Sequence, residues 1–487
     1  MPVLRGGFIM TVYDTMKGPF QTKESQDQLI HAYTNTFDLY NGLIHCNSSN
    51  KIKGQYSVSD CDAFYVQIFR EWRKSLKYLI ENDRVADEYK ERLYALYRYV
   101  QSFSPATRDD VLCIMDDESI IDPVLSDAMS IFKWNRIGEY SGWDHIHSNF
   151  VHYGLSKTQE IQHRVYVNCD STVTYKIAQR FIQKCNERRS AYYFKMDCYG
   201  GRDDTIVFYC DSEHLSTYIA ILREIIQEES LKQNLHQPPI CTATIDGVLG
   251  YGTEPQNVEG ENTTTFNQKR ATHLEDCIKK ESNIWMIRHL DTPVSSRKQT
   301  IPYRDLLFDC IVDETVRYYL NHTPNSRTCM TYKGYTLDDL NHSNFRDYVY
   351  QYARRYYHMI LRYYQNNEDD ANIEFSFIGG KLSFNTTILE EVRKKQVQFF
   401  WDHSAKFQDS LMSRIHNTSS EVGIDPDNYA CDLYMVQELG KKMEDSSQNG
   451  VSVTPESGFS RKTKTGYIYR PLTSEDVENV KKRLGLK

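Results

Sequence analysis

The sequence has no C-x-x-C pair, no regular cysteine spacing, no apolar run long enough to cross a bilayer and no surplus of basic charge. Each absence removes a class of protein. Its 12 cysteines are scattered singly, which excludes a zinc ribbon or disulfide framework and fits reduced thiols in a cytoplasmic location. The net charge of -8 provides none of the basic field that non-specific nucleic-acid binding draws on, so no nucleic-acid partner is expected. Met1 to Asp14 lack the basic segment, apolar stretch and cleavage site of a signal peptide. No membrane partner is expected either. Asp144-His-Ile-His147 with His152 hints at metal ligation, but no cysteine or carboxylate completes the set at a recognised spacing. Neither metal nor cofactor is expected.

At 487 residues the chain is long enough for two to four domains, each with its own core. Phe64, Ile68 and Trp72, then Leu93, Leu96, Tyr97 and Val100, recur at helical intervals. A helical N-terminal region over 1–144 follows, packed as a support or offered as a docking surface. Residues 283–300, with Pro293, Ser295 and Ser296, read as a linker. Beyond it, 301–445 contains three helical candidates, Tyr303 to Leu320, Phe345 to Tyr364 and Leu389 to Ile415, and a hairpin at Ile373 to Phe384. Residues 446–487 read as a mobile tail in which Gly466 to Pro471 forms a strand and Ser474 caps a short helix.

The intervening segment, 145–282, carries the candidate site. Runs at His163–Asn168, Tyr192–Asp197 and Thr205–Tyr209 have strand character, and Thr174–Cys185 and Ser216–Ile226 have helical spacing. The expected class is α+β, a small mixed sheet with covering helices, flanked by mainly helical regions. Period-two alternation puts Arg164 and Tyr166 on one strand face, and puts Lys195 opposite the buried-type Phe194 and Met196. Arg202 stands at the mouth of the third strand. Lys269 and Arg270 fall in a first helical turn, where the macrodipole disfavours cations unless an anion is bound. Arginines and lysines gathered on one face suit a phosphorylated ligand.

Arg164-Val-Tyr-Val-Asn168, Phe194-Lys-Met-Asp197, Arg202 to Tyr209, Gly250-Tyr-Gly252 and Thr265-Phe-Asn-Gln-Lys-Arg270, in that order, resemble the Hop class A type III effector family. Relatives of that family occur in gene clusters for ribosomally made peptides, including class V lanthipeptides, where they are assigned as lyases. The layout is also distantly similar to the phosphothreonine lyases of enteric pathogens. That resemblance implies Lys195 as the base, Arg202 and Arg164 as phosphate-binding groups and Tyr166 in the place of a general-acid histidine. Tyrosine, with an ordinary pKa of about 10, is the weaker acid. His163 is the alternative acid, though an ideal strand points it away.

Eliminating phosphate from phosphoserine or phosphothreonine takes a base for the α-proton, cations for the leaving group and an acid. A lysine serves as base only if its pKa falls, which nearby Arg164 and Arg202 would promote. The expected partner is a peptide or protein carrying phosphorylated Ser or Thr, with a kinase to phosphorylate it. The alternatives are a non-catalytic phosphopeptide- or anion-binding module and a secreted effector or toxin acting on a host protein.

Overall fold

The alternating run around residue 165 is buried along its whole length, and the pleat sorts its side chains. Val165, Val167 and Cys169 join the main apolar core, so Arg164, Tyr166 and Asn168 take the other face. The structure is a computed structural model that describes residues 16–54, 56–81, 87–115, 132–136, 142–147, 161–197, 199–255, 264–295, 300–322, 342–367, 370–377, 380–435, 458–463 and 466–471. The chain divides into two units, one of residues 1–28, 40–269 and 423–487, the other of 29–39 and 270–422.

The first unit contains strands β1 (Phe132–Arg136), β2 (Gly142–His147), β3 (His163–Cys169), β4 (Tyr193–Asp197), β5 (Ile206–Cys210), β6 (Leu235–His236), β7 (Ala243–Ile245) and β8 (Leu249–Thr253). They form one sheet in the order β1-β2-β4-β5-β3-β8-β7, with β6 pairing β3. The α+β class holds. The sheet, however, is antiparallel at every pairing rather than mixed. β3 and β4 do run the same way, as a helical crossover requires, but β5 lies between them and opposes both.

Helices α1 (Lys23–Asn35), α2 (Leu39–His45), α3 (Val58–Glu81), α4 (Asp87–Ser102) and α5 (Arg108–Met115) precede the sheet, in keeping with the helical spacing there, but the region expected to be helical up to residue 144 also contains β1 and the start of β2. α6 (Thr174–Glu187) follows β3 and α7 (Leu215–Ile226) follows β5. α6 buries Ile177, Phe181 and Ile182 and α7 buries Tyr218, Ile219, Leu222 and Ile225, so both present one apolar stripe to the sheet. Just ahead of α7, Asp211 accepts the amides of Glu213 and His214 at 3.0 and 2.9 Å, forming a turn that leads into the helix. Phe181 lies 4.3 Å from Phe208 and 5.9 Å from Phe194, ring centre to ring centre. Each of these fully buried rings contributes about 1.5–3 kcal/mol. Phe64, Ile68 and Trp72 of α3 belong to the same core.

After a single turn, α8 (Glu229–Lys232), and the last strands of the sheet, the long α9 (Phe266–Arg288) starts in the first unit and continues into the second. Residues 283–300 are not a linker: Met286 continues the buried stripe, and β9 (Pro293–Ser295) pairs with β10 (Thr300–Pro302). Pro293 and Ser295 bound the first strand of that hairpin. α10 (Tyr303–His322), α11 (His342–Asn366), α12 (Thr386–His403) and α13 (Ala405–Ser419) follow in the second unit, with β11 (Asn372–Phe377) and β12 (Gly380–Asn385) as the expected hairpin. One predicted helix, Leu389 to Ile415, is two. Ser404 breaks it by capping α13 through the Phe407 amide at 3.2 Å. β13 (Gly458–Thr463) pairs with β14 (Gly466–Pro471), the expected strand, while Ser474 lies outside the described residues. No described helix is long and apolar enough to cross a membrane.

Candidate functional site

Two cross-strand rows line the sheet face away from α6 and α7. Lys195 lies opposite Val207, Val207 opposite Tyr166, and Tyr166 opposite Gly250. In the neighbouring row Tyr209 faces Arg164, and Arg164 faces Gly252. Lys195 and Tyr166 are thus two strands apart, about 10 Å at the backbone. The glycines have a packing reason. A Cβ on Gly252 would come within 2.7 Å of the Phe266 ring, and one on Gly250 within 2.7 Å of Pro238, so only glycine lets the start of α9 close on β8.

Both predicted arginines are held by carboxylates. Arg164, 7% exposed, grips Glu254 through Nε and through Nη2, the latter at 2.6 Å, with its guanidinium 5.2 Å from the Tyr209 ring centre. Arg202 donates from Nε to Asp204 Oδ1 at 2.8 Å and from Nη2 to Asp204 Oδ2 and the Tyr40 hydroxyl, both at 3.2 Å. Burial pushes the Asp204 carboxyl up, but Arg202 beside it more than offsets this and holds it below its ordinary range. The bidentate pairs fix each guanidinium plane. They leave both Nη1 groups without a hydrogen-bond partner among the described residues.

Lys195 is half-buried and makes no hydrogen bond or ion pair among the described residues. Its amine sits 4.1 Å from the centre of the Trp143 ring, and the Arg202 guanidinium 4.8 Å from the same ring. Its pKa falls to about 8, chiefly through burial. Asp204 pulls the other way, and the repulsion of Arg164 and Arg202 comes after it. The predicted cause was that repulsion; the carboxylates that neutralise each arginine explain why it is secondary.

Tyr166 is 1% exposed, its ring centre 5.7 Å from that of Phe266. Its hydroxyl has no hydrogen-bond partner among the described residues, and burial raises its pKa against the pull of Arg164. His163 is on the opposite face, with Nδ1 2.8 Å from the Tyr251 hydroxyl and Nε2 3.0 Å from Ser212 Oγ. The sheet separates it from Lys195, as strand alternation requires. At the start of α9, Lys269 is taken up by Asp432 at 2.9 Å and the Gly423 carbonyl at 3.3 Å, a tether rather than an open cation. Arg270 is fully buried and falls in the second unit.

Trp143, Asp204, Glu254 and Asn267 were not legible as site residues. Of these, only Asp204 carried a signal, two positions from Arg202 on the approach to a strand. Asp144, His145 and His147 lie on β2, and His152 is outside the described residues. Among the described residues no cluster of His, Cys, Asp and Glu could hold a metal ion.

Residues 149–292 match the HopA1 effector protein family. The HopA1-like stretch is under a third of the chain and contains every predicted site residue, but it begins after Trp143. A solved effector protein from Pseudomonas syringae pv. syringae strain 61 is similar at 12% identity, with a TM-score of 0.24, over 43% of this chain and 87% of that one. No curated protein matches.

Proposed function

We propose that this sheet face binds a phosphorylated serine or threonine in a peptide and eliminates its phosphate. The carrying observation is Lys195, an amine with no partner among the described residues and a pKa of about 8. Such a group is partly neutral near physiological pH and can take a proton. Lys195 removes the α-proton, the electron pair forms the carbon–carbon double bond, and the carbon–oxygen bond to phosphate breaks. Arg164 and Arg202 offer their spare Nη1 donors to the departing anion. The Tyr166 hydroxyl, kept protonated by burial, is the candidate acid for the leaving oxygen. A dehydroamino acid in the peptide and inorganic phosphate result, with no cofactor required. A kinase must supply the substrate.

Incubation with phosphothreonine peptides and mass spectrometry tests this: the peptide loses the elements of phosphoric acid. Return to the free hydroxyl marks a phosphatase instead.

The alternative, phosphopeptide recognition without chemistry, would use the same spare Nη1 donors and no base; the carboxylates paired with both arginines lower the positive charge available to either role. The HopA1 likeness supports the coarser role of a secreted effector acting on a host component. It leaves the chemistry open.

A further inference from the structure

The second residue of α9 carries an amide that the elimination chemistry does not use. Asn267 is 5% exposed; its Nδ2 donates to Asp204 Oδ2 at 3.2 Å, while its Oδ1 is buried with no partner among the described residues. The amide cannot be turned round. Asp204 is bound bidentately by Arg202, and an ionised carboxylate only accepts, so the donor end must face it. Oδ1 is therefore directed away from Asp204 as an unfilled acceptor. Leaving such an atom dry and unbonded is costly unless a ligand or water fills it. Tyr166 is a second case, its hydroxyl equally buried and unpartnered among the described residues. The two are adjacent through α9: Phe266 packs on Tyr166, and Asn267 binds Asp204.

We propose that Asn267 reads the substrate's main chain, its Oδ1 accepting the N–H of the phosphorylated residue. An acceptor needs a donor, and at neutral pH a phosphate dianion brings none. The peptide nitrogen does, and it is bonded to the α-carbon whose proton Lys195 takes. Anchoring it orients that carbon, and makes the site one for phosphorylated residues within a chain. This rests on the phosphoresidue assignment above.

The test measures binding to the full chain of two phosphothreonine peptides, identical except that in one the amide nitrogen of the phosphorylated residue is replaced by an ester oxygen. Wild type binds the amide peptide roughly tenfold more tightly, one hydrogen bond's worth. Asn267→Ala binds both alike. Equal binding of the two peptides by wild type, or an amide preference that survives Asn267→Ala, overturns the proposal. The wild-type comparison needs no variant, so a misfolded Asn267→Ala leaves it decisive. Since binding is read without turnover, an amide preference with no dehydroamino acid formed defeats the lyase alone. Turnover without the preference defeats only the role of Asn267.

Discussion

The Lys195 amine stands 4.1 Å from the centre of the Trp143 indole, which also carries the Arg202 guanidinium at 4.8 Å. Removing the ring does two opposed things: it ends a cation–π attraction that favours the ammonium, and it admits water. Burial is the larger influence on this amine. Trp143→Ala should therefore raise its pKa from about 8 towards the ordinary 10.5. The rising limb of kcat/KM against pH moves up by the same interval, and activity at pH 7 falls.

Lys195→Ala should lower turnover by about 10²–10⁴-fold, the usual contribution of a general base. Phosphopeptide affinity should change little, because the guanidinium donors remain. A loss of affinity matching the loss of turnover would instead describe a binding module.

Asp204 is 3% exposed and depends on Arg202. Arg202→Met leaves its carboxylate buried and unpaired by any arginine, and should destabilise the fold by about 3–5 kcal/mol. Arg202→Met combined with Asp204→Leu should recover much of that. Urea unfolding of the wild type, the single and the double variant separates the charge effect from packing.

Gly252→Ala forces a methyl group into the Phe266 ring and should destabilise by about 1–3 kcal/mol. Adding Phe266→Leu should restore part of it. Gly201→Ala meets nothing within 4 Å and should stay within about 0.5 kcal/mol of wild type.

In the second unit, burial lowers the pKa of His273 from 6.5 to about 4. The unfolded chain binds the proton first, so stability present above pH 6.5 is lost as pH falls towards 4. The slope approaches about 1.4 kcal/mol per pH unit. Urea midpoints followed by tryptophan fluorescence across that range should show the decline, and His273→Gln should flatten it.

Arg164, Tyr166 and Lys195 were placed correctly on one face because strand alternation is a local property of the chain. The same rule put His163 on the other face, where Tyr251 and Ser212 hold it. What escaped was set by contacts between distant segments. Glu254 reaches Arg164 across the β3–β8 pairing, and Asn267 reaches Asp204 from a helix that starts after the last strand of the sheet. Lys269 had the spacing of a ligand group, yet Asp432, far along the sequence, occupies it. The break at Ser404 was missed for the opposite reason: the apolar period continues through it, and only the capping hydroxyl marks the stop.

Phe64, Ile68 and Trp72 of α3 lie in the core beneath the sheet, ahead of residues 149–292 where the family likeness begins. A fragment trimmed to that likeness would expose the end of α6 at Tyr175, on which Phe64 and Tyr65 pack, and should aggregate. Transplanting the domain into another protein would require a substitute for α3. The N-terminal helices are therefore a foundation of the sheet, not an optional attachment to it.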